Sequence, residues 1–195
     1  SACLVGSEMC IRDSFCTAQS VPHSYQWWQG RAWAGKSALI SWFVLHPPPA
    51  VRIVSFFVTS RLASQDDRIA FTDNLLEQLA TLLDRPMPRY LTESTRDAHF
   101  LGLLTDAAQE CRKREERLVL IVDGLDEDRG VTERADAHSI AALLPDPAPA
   151  DMRVIVSGRP SPPIPQDVSD HHQLRNPAIV CLLYTSDAAD DLTRV

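Results

Sequence analysis

Lysine is almost missing from this chain: only Lys36 and Lys113 occur among 195 residues, and arginine carries the rest of the positive charge. Acidic residues outnumber basic ones, 26 to 19, for a net charge of −7, so the basic excess of a dedicated nucleic-acid binder is not there. Long apolar runs are missing too. The longest, residues 38–45 with a serine inside it, falls far below the ~18 residues of a membrane span. Of five cysteines, the two outside the terminal segments, Cys16 and Cys111, are too few and too far apart for a disulfide scaffold or a zinc site. None of the six histidines has metal-ligand spacing. The 45% hydrophobic content excludes low-complexity disorder, and the length suffices for the core of one α/β domain. A reducing, cytoplasmic setting is the expectation.

Both ends read as foreign. Residues 4–14 (LVGSEMCIRDS) and 181–191 (CLLYTSDAADD) look like translations of the transposase adapters used to prepare sequencing libraries, one from each side of an insert. Such scars are set aside before fold reasoning. Residues 1–14 and 181–195 are therefore expected to be non-native, and 15–180 to be an internal fragment of a longer protein. Cys16 and Cys111 are the cysteines that remain.

What is present is an alternation of strand and helix patterns. Tyr25–Gln29 (YQWWQ) is an aromatic strand running into a glycine. Lys36–Leu45 reads as a buried helix, stopped by His46 and three prolines. Residues 52–59 (RIVSFFVT) and 153–157 (RVIVS) are β-branched or aromatic strands. Residues 67–83 place Phe71, Leu75, Leu79 and Leu82 on one helical face. A further helix carries Phe100, Leu103, Leu104, Ala107 and Cys111, with Ser94 and Asp97 spaced as a capping box. Residues 118–122 (LVLIV) form an uninterrupted apolar run, as a strand covered on both faces requires. Residues 135–144 read as a short helix, and the prolines from Pro145 to Pro165 as loops. The pattern predicts an α/β fold with a mostly parallel sheet and helices on both faces.

Three strand ends carry the chemistry. Gly30-Arg31-Ala32-Trp33-Ala34-Gly35-Lys36-Ser37 fits GxxxxGK[ST] between a strand and a helix, with Ala38 next in that helix. Glycines let successive N–H groups turn inward around phosphate oxygens, and the helix N-terminus presents more N–H groups and its positive dipole end. Lys36 is then expected on the β- and γ-phosphates and Ser37 on Mg²⁺. Residues 118–127 (LVLIVDGLDE) end an apolar strand in an acidic cluster, at the edge where open α/β sheets bind ligands. Asp123 is the candidate Mg²⁺ ligand, Gly124 leaves room for metal and phosphates, and Asp126 or Glu127 orients or deprotonates the attacking water. Arg159, after Ser157-Gly158, is placed to sense the γ-phosphate. Gly30, Gly35, Gly124 and Gly158 all fall at these ends. The Lys36 loop and Asp123 are expected to converge at adjoining strand tips. Trp27, Trp28 and Trp33 are assigned to packing rather than to adenine contact, Asp66-Asp67-Arg68 to a helix start, and Cys111 to the core.

The combination WWQGRAWAGKS, LVLIVDGLDED and RVIVSGRP resembles the NACHT-type branch of the signal-transduction ATPases with numerous domains (STAND). The resemblance implies a three-layer P-loop NTPase core of five strands, of the additional-strand class, here truncated. It further implies ATP with Mg²⁺, slow hydrolysis, self-association and other domains in a full-length signalling chain. Ala34 stands where that family commonly has glycine, and its downstream winged-helix and sensor-2 segments do not occur in this sequence. A nucleotide-binding scaffold with little turnover and a P-loop kinase are the other readings.

Overall fold

The computed structural model describes residues 14–32, 35–60, 66–87, 91–128 and 138–183. Five strands form one parallel sheet: β1 (Tyr25–Gln29), β2 (Val51–Phe57), β3 (Arg117–Asp123), β4 (Arg153–Gly158) and β5 (Val180–Leu182). Their order across the sheet is β2-β3-β4-β1-β5. The longer helices among the described residues are α1 (Lys36–Leu45), α2 (Arg68–Leu82) and α3 (Glu93–Lys113). This is the α/β core with helices on both faces that the alternation predicts.

The apolar run of β3 shows why. Leu118, Leu120 and Val122 pack in a core with Phe71, Leu75 and Leu79 of α2 and Phe100 and Leu104 of α3. Val119 and Ile121 join a second core on the other face with Ile40 and Phe43 of α1 and with Trp28. Alternate side chains point to opposite faces, so a strand covered twice is apolar throughout. In the first core Phe71 meets Phe56 and Phe100 edge to face, with ring centroids 5.5 and 5.4 Å apart.

Local chemistry sets the helix ends. Asp67 caps α2 by accepting from the Ala70 N–H at 2.8 Å, which confirms the Asp66-Asp67-Arg68 stretch as a helix start. α1 stops at His46, whose N–H bonds the Trp42 carbonyl at 2.9 Å, before the prolines. The capping box of α3 is formed by Thr92 and Thr95, not by Ser94 and Asp97. The helix starts earlier than its apolar face announces, and Asp97 instead pairs with Arg68 of α2.

The helix expected over 135–144 is not formed where it is described: residues 135–137 lie outside the described residues, and only the single turn Ala141–Leu143 follows. The N–H groups that would start a helix are taken by side chains instead. Ser139 N–H donates to Asp167 at 2.7 Å and Ile140 N–H to Asp128 at 2.6 Å.

The C-terminal flank expected to be foreign meets this sheet. β5 pairs with β1 through Trp27–Val180, Trp28–Cys181 and Gln29–Leu182, so Cys181 and Leu182, counted with the C-terminal flank, complete the fifth strand. At the N-terminal ends of β3 and β4 the fold takes in Phe15 and Cys16, both buried. The guanidinium groups of Arg117 and Arg153 donate to carbonyls of residues 15–18 there. Cys111 is buried in the first core.

Phe71→Ala is expected to cost about 3–5 kcal/mol in chemical denaturation, because it empties a fully packed aromatic site. Arg52→Ala, which removes an exposed ion pair with Glu116, is expected to cost under about 1 kcal/mol.

Candidate nucleotide site

All five strands are parallel, so their C-terminal ends share one edge, and the register aligns them closely. Phe57 is opposite Asp123, Val122 opposite Val156, and Gln29 opposite both Gly158 and Leu182. The loop after Gln29 and the carboxylate of Asp123 therefore lie on the same edge. Their strands do not adjoin, however: β4 stands between β1 and β3, which separates the two ends by two strand spacings, about 10 Å. Parallel neighbours are not dictated by chain order, and the strand inserted between them brings Ser157, Gly158 and Arg159 into the gap.

The loop leaves β1 with the Gly30 N–H on the Gly158 carbonyl, 3.4 Å away. Arg31 and Ala32 are exposed; Trp33 and Ala34 lie outside the described residues. Gly35, at φ 76°, is the N-cap of α1 and supplies no side-chain cap. A glycine adopts this left-handed conformation without strain. A helix that starts without a side-chain cap presents its first-turn N–H groups as an end of the kind that binds anions. Lys36 is half-buried and curls over the loop, donating to the Gly30 carbonyl at 2.8 Å and the Arg31 carbonyl at 3.0 Å. Ser37 and Ala38 are exposed on the same turn.

Asp123 is 5% exposed. The Ser157 hydroxyl donates to its Oδ1 and accepts the Gly124 N–H at 3.2 Å. Burying a carboxylate is costly without such a partner, and Ser157 supplies one from the neighbouring strand. Gly124 has φ 79°, and a Cβ built on it would sit 2.7 Å from the Val58 carbonyl oxygen. Its lack of a side chain therefore admits the end of β2.

The two acidic residues that follow diverge. Asp126 accepts from the Arg159 N–H at 3.0 Å and forms an ion pair with the Arg159 Nε. This carboxylate raises the guanidinium pKa above its ordinary value by hydrogen bond and charge. Glu127 accepts at Oε2 from the Ser60 N–H at 3.1 Å and from the Ser60 hydroxyl at 3.3 Å. Ser60 is a residue that sequence reasoning missed, and its position just past the end of a parallel strand was the available signal.

Trp28 packs with Ile40 and Phe43 beneath α1, as the packing assignment expects. Trp27 is buried on the opposite face, beside a crevice it shares with Asp126, Arg159 and residues 162–165.

The donor set fits a nucleotide-bound Mg²⁺. The Ser37 hydroxyl and Asp123 carboxylate are hard oxygen donors, and Mg²⁺ on a nucleotide needs only one or two from protein besides phosphates and waters. Among the described residues no group of three or more His, Cys, Asp and Glu is placed to hold a metal by itself.

Gly124→Ala is expected to lower stability by about 1–3 kcal/mol, since both the positive φ and the Val58 contact oppose a Cβ. Chemical denaturation checks it; a loss below about 0.5 kcal/mol would contradict the close approach.

Comparison with known proteins agrees with this architecture. The profile of the family "Nephrocystin 3, N-terminal" matches residues 8–159. No curated protein sequence matches the chain significantly. Among solved structures, Cdc6p from Pyrobaculum aerophilum is similar at 14% identity and TM-score 0.53, over 92% of this chain and 44% of that one. The Walker-type ATPase of Pyrococcus abyssi is similar at 14% identity and TM-score 0.47, over 75% of this chain and 43% of that one. The chain thus spans less than half of either structure, and what it shares with Cdc6p is the fold. With most of its length matched by the family profile, the chain belongs to the nephrocystin 3 N-terminal family, on a five-stranded parallel α/β fold.

Proposed function

We propose that this domain binds ATP with Mg²⁺ and hydrolyses it slowly, as a regulatory switch within a larger signalling protein. The observation that supports this reading best is the shared edge of β1, β3 and β4, with the glycine loop, Asp123 and Arg159 on it. The backbone of residues 30–38 and the Lys36 ammonium hold the phosphates, and Ser37 and Asp123 hold Mg²⁺. Asp126 or Glu127 orients the attacking water, and Arg159 meets the γ-phosphate. Phosphoryl transfer needs mainly positioning and charge neutralisation, with water attacking phosphorus as ADP leaves. When bound, Mg²⁺ neutralises charge on the β- and γ-oxygens.

In the present geometry the Lys36 ammonium is bonded to loop carbonyls. A phosphate oxygen of opposite charge is a stronger acceptor for it, so the same lysine that holds the loop together reads the nucleotide. Self-association and signalling to other domains of a longer chain follow from the STAND resemblance and belong to this proposal. A cytoplasmic setting belongs to it too. Among the described residues no helix is long and apolar enough to cross a membrane.

A scaffold that binds nucleotide with little turnover is the second reading. It is favoured by one observation: Asp126 and Glu127 are both already bonded to protein donors.

Lys36→Ala is expected to abolish ATP binding measured by titration calorimetry, while unchanged affinity would refute the phosphate loop. Phosphate release by the wild-type protein is expected to stop when EDTA removes the metal and to return with added Mg²⁺. Release that continues unchanged in EDTA would refute the metal assignment.

A further inference from the structure

Asp126 follows Gly124 in an acidic turn, yet it is not open to water: its side chain is only 7% exposed. Both of its oxygens serve a single residue. Oδ1 takes the main-chain N–H of Arg159 at 3.0 Å, and Oδ2 takes its Nε–H. The grip therefore fixes Arg159 at the base of its chain and again at its head. Gly158 makes this possible, because a Cβ there would stand 3.0 Å from Asp126 Oδ1 and 3.4 Å from its main-chain N.

The chemistry of this grip differs from that of a base. A carboxylate that activates water needs an accessible oxygen directed at it, and here both oxygens are committed to donors of a cationic residue. Nε is the guanidinium nitrogen nearest the stem. Bonding through it leaves the two terminal nitrogens, with four N–H donors, for an anion. The Arg159 side chain is half exposed, on the same edge as the glycine loop. Glu127 is engaged through Oε2 alone.

We propose that Asp126 is a positioning residue that fixes Arg159 so that its terminal nitrogens meet the outermost phosphate of a nucleoside triphosphate, and that proton acceptance falls to Glu127. The inference rests on the nucleotide reading above and decides between the two acidic residues it leaves open.

Fluorescent ATP and ADP analogues, titrated into the full chain with Mg²⁺, test it alongside phosphate release and melting temperature. The variants are Asp126→Asn, Arg159→Ala, their double variant, Gly158→Ala and Glu127→Gln. Asp126→Asn and Arg159→Ala are each expected to shift the ATP-to-ADP affinity ratio against ATP by on the order of tenfold, the scale of one charge-assisted hydrogen bond. The double variant is expected to shift it no further than either alone. Gly158→Ala, which displaces Asp126 without changing charge, moves the ratio the same way. Glu127→Gln slows release at an unchanged ratio. Asp126→Asn that keeps the wild-type ratio while Arg159→Ala loses it overturns the inference, as does full additivity of the two. Slowed release by Asp126→Asn at an unchanged ratio overturns it as well. A wild-type protein that binds neither nucleotide overturns the nucleotide reading itself, and this inference with it.

Discussion

The hydrogen bond between the Ser157 hydroxyl and the Asp123 carboxylate ties the site together. A nearly buried carboxylate at a strand tip is expensive unless a donor meets it, and the donor comes from β4, the strand inserted between β1 and β3. The same hydroxyl takes the N–H of Gly124, which fixes where the chain turns after β3. That turn in turn directs Asp126 toward the end of β4 and Glu127 toward the end of β2. The inserted strand is therefore more than spacing: it supplies the partner of Asp123, the glycine beside Asp126 and the arginine that Asp126 holds.

Two glycines do work at this edge that composition alone does not reveal. Gly124 lets the carbonyl of Val58 come within a distance no Cβ tolerates, and Gly158 does the same more mildly for Asp126. Each closes the gap between neighbouring strand ends. Gly35, by contrast, has open space around the position of a Cβ, and its role is the left-handed turn into α1. Three glycines in one region thus answer two kinds of constraint, close approach at Gly124 and Gly158 and a left-handed turn at Gly35.

Much of the fold was legible because the signals are local. Strand β1 and helix α1 begin and end where aromatic, glycine and proline residues punctuate the chain, and β3 is marked by an apolar run that only a strand buried on both faces carries. The α3 cap was misread because Thr92 and Thr95 lie upstream of the helix's first apolar residue, while Asp97 serves a neighbouring helix. The helix expected over 135–144 shrinks to the turn at Ala141–Leu143 because the amides just before it, of Ser139 and Ile140, are claimed by Asp167 and Asp128, contacts far away in sequence. At the site, residue types and spacing located the glycine loop, Asp123 and Arg159. Spacing along the chain does not determine which parallel strands lie side by side, so the placing of β4, and with it the partners of Asp123 and Asp126, came only from the folded structure. Ser60 escaped for the same reason, since only the sheet brings it to Glu127.

In the proposed function the loop at Lys36 and the carboxylate of Asp123, two strand spacings apart on one edge, act on one nucleotide through one metal. Titration calorimetry of ATP with and without Mg²⁺ measures that coupling directly in wild type and in Asp123→Asn. Mg²⁺ is expected to tighten ATP binding in wild type, and Asp123→Asn to lose this metal increment while keeping its metal-free affinity. An equal Mg²⁺ increment in both proteins would contradict it.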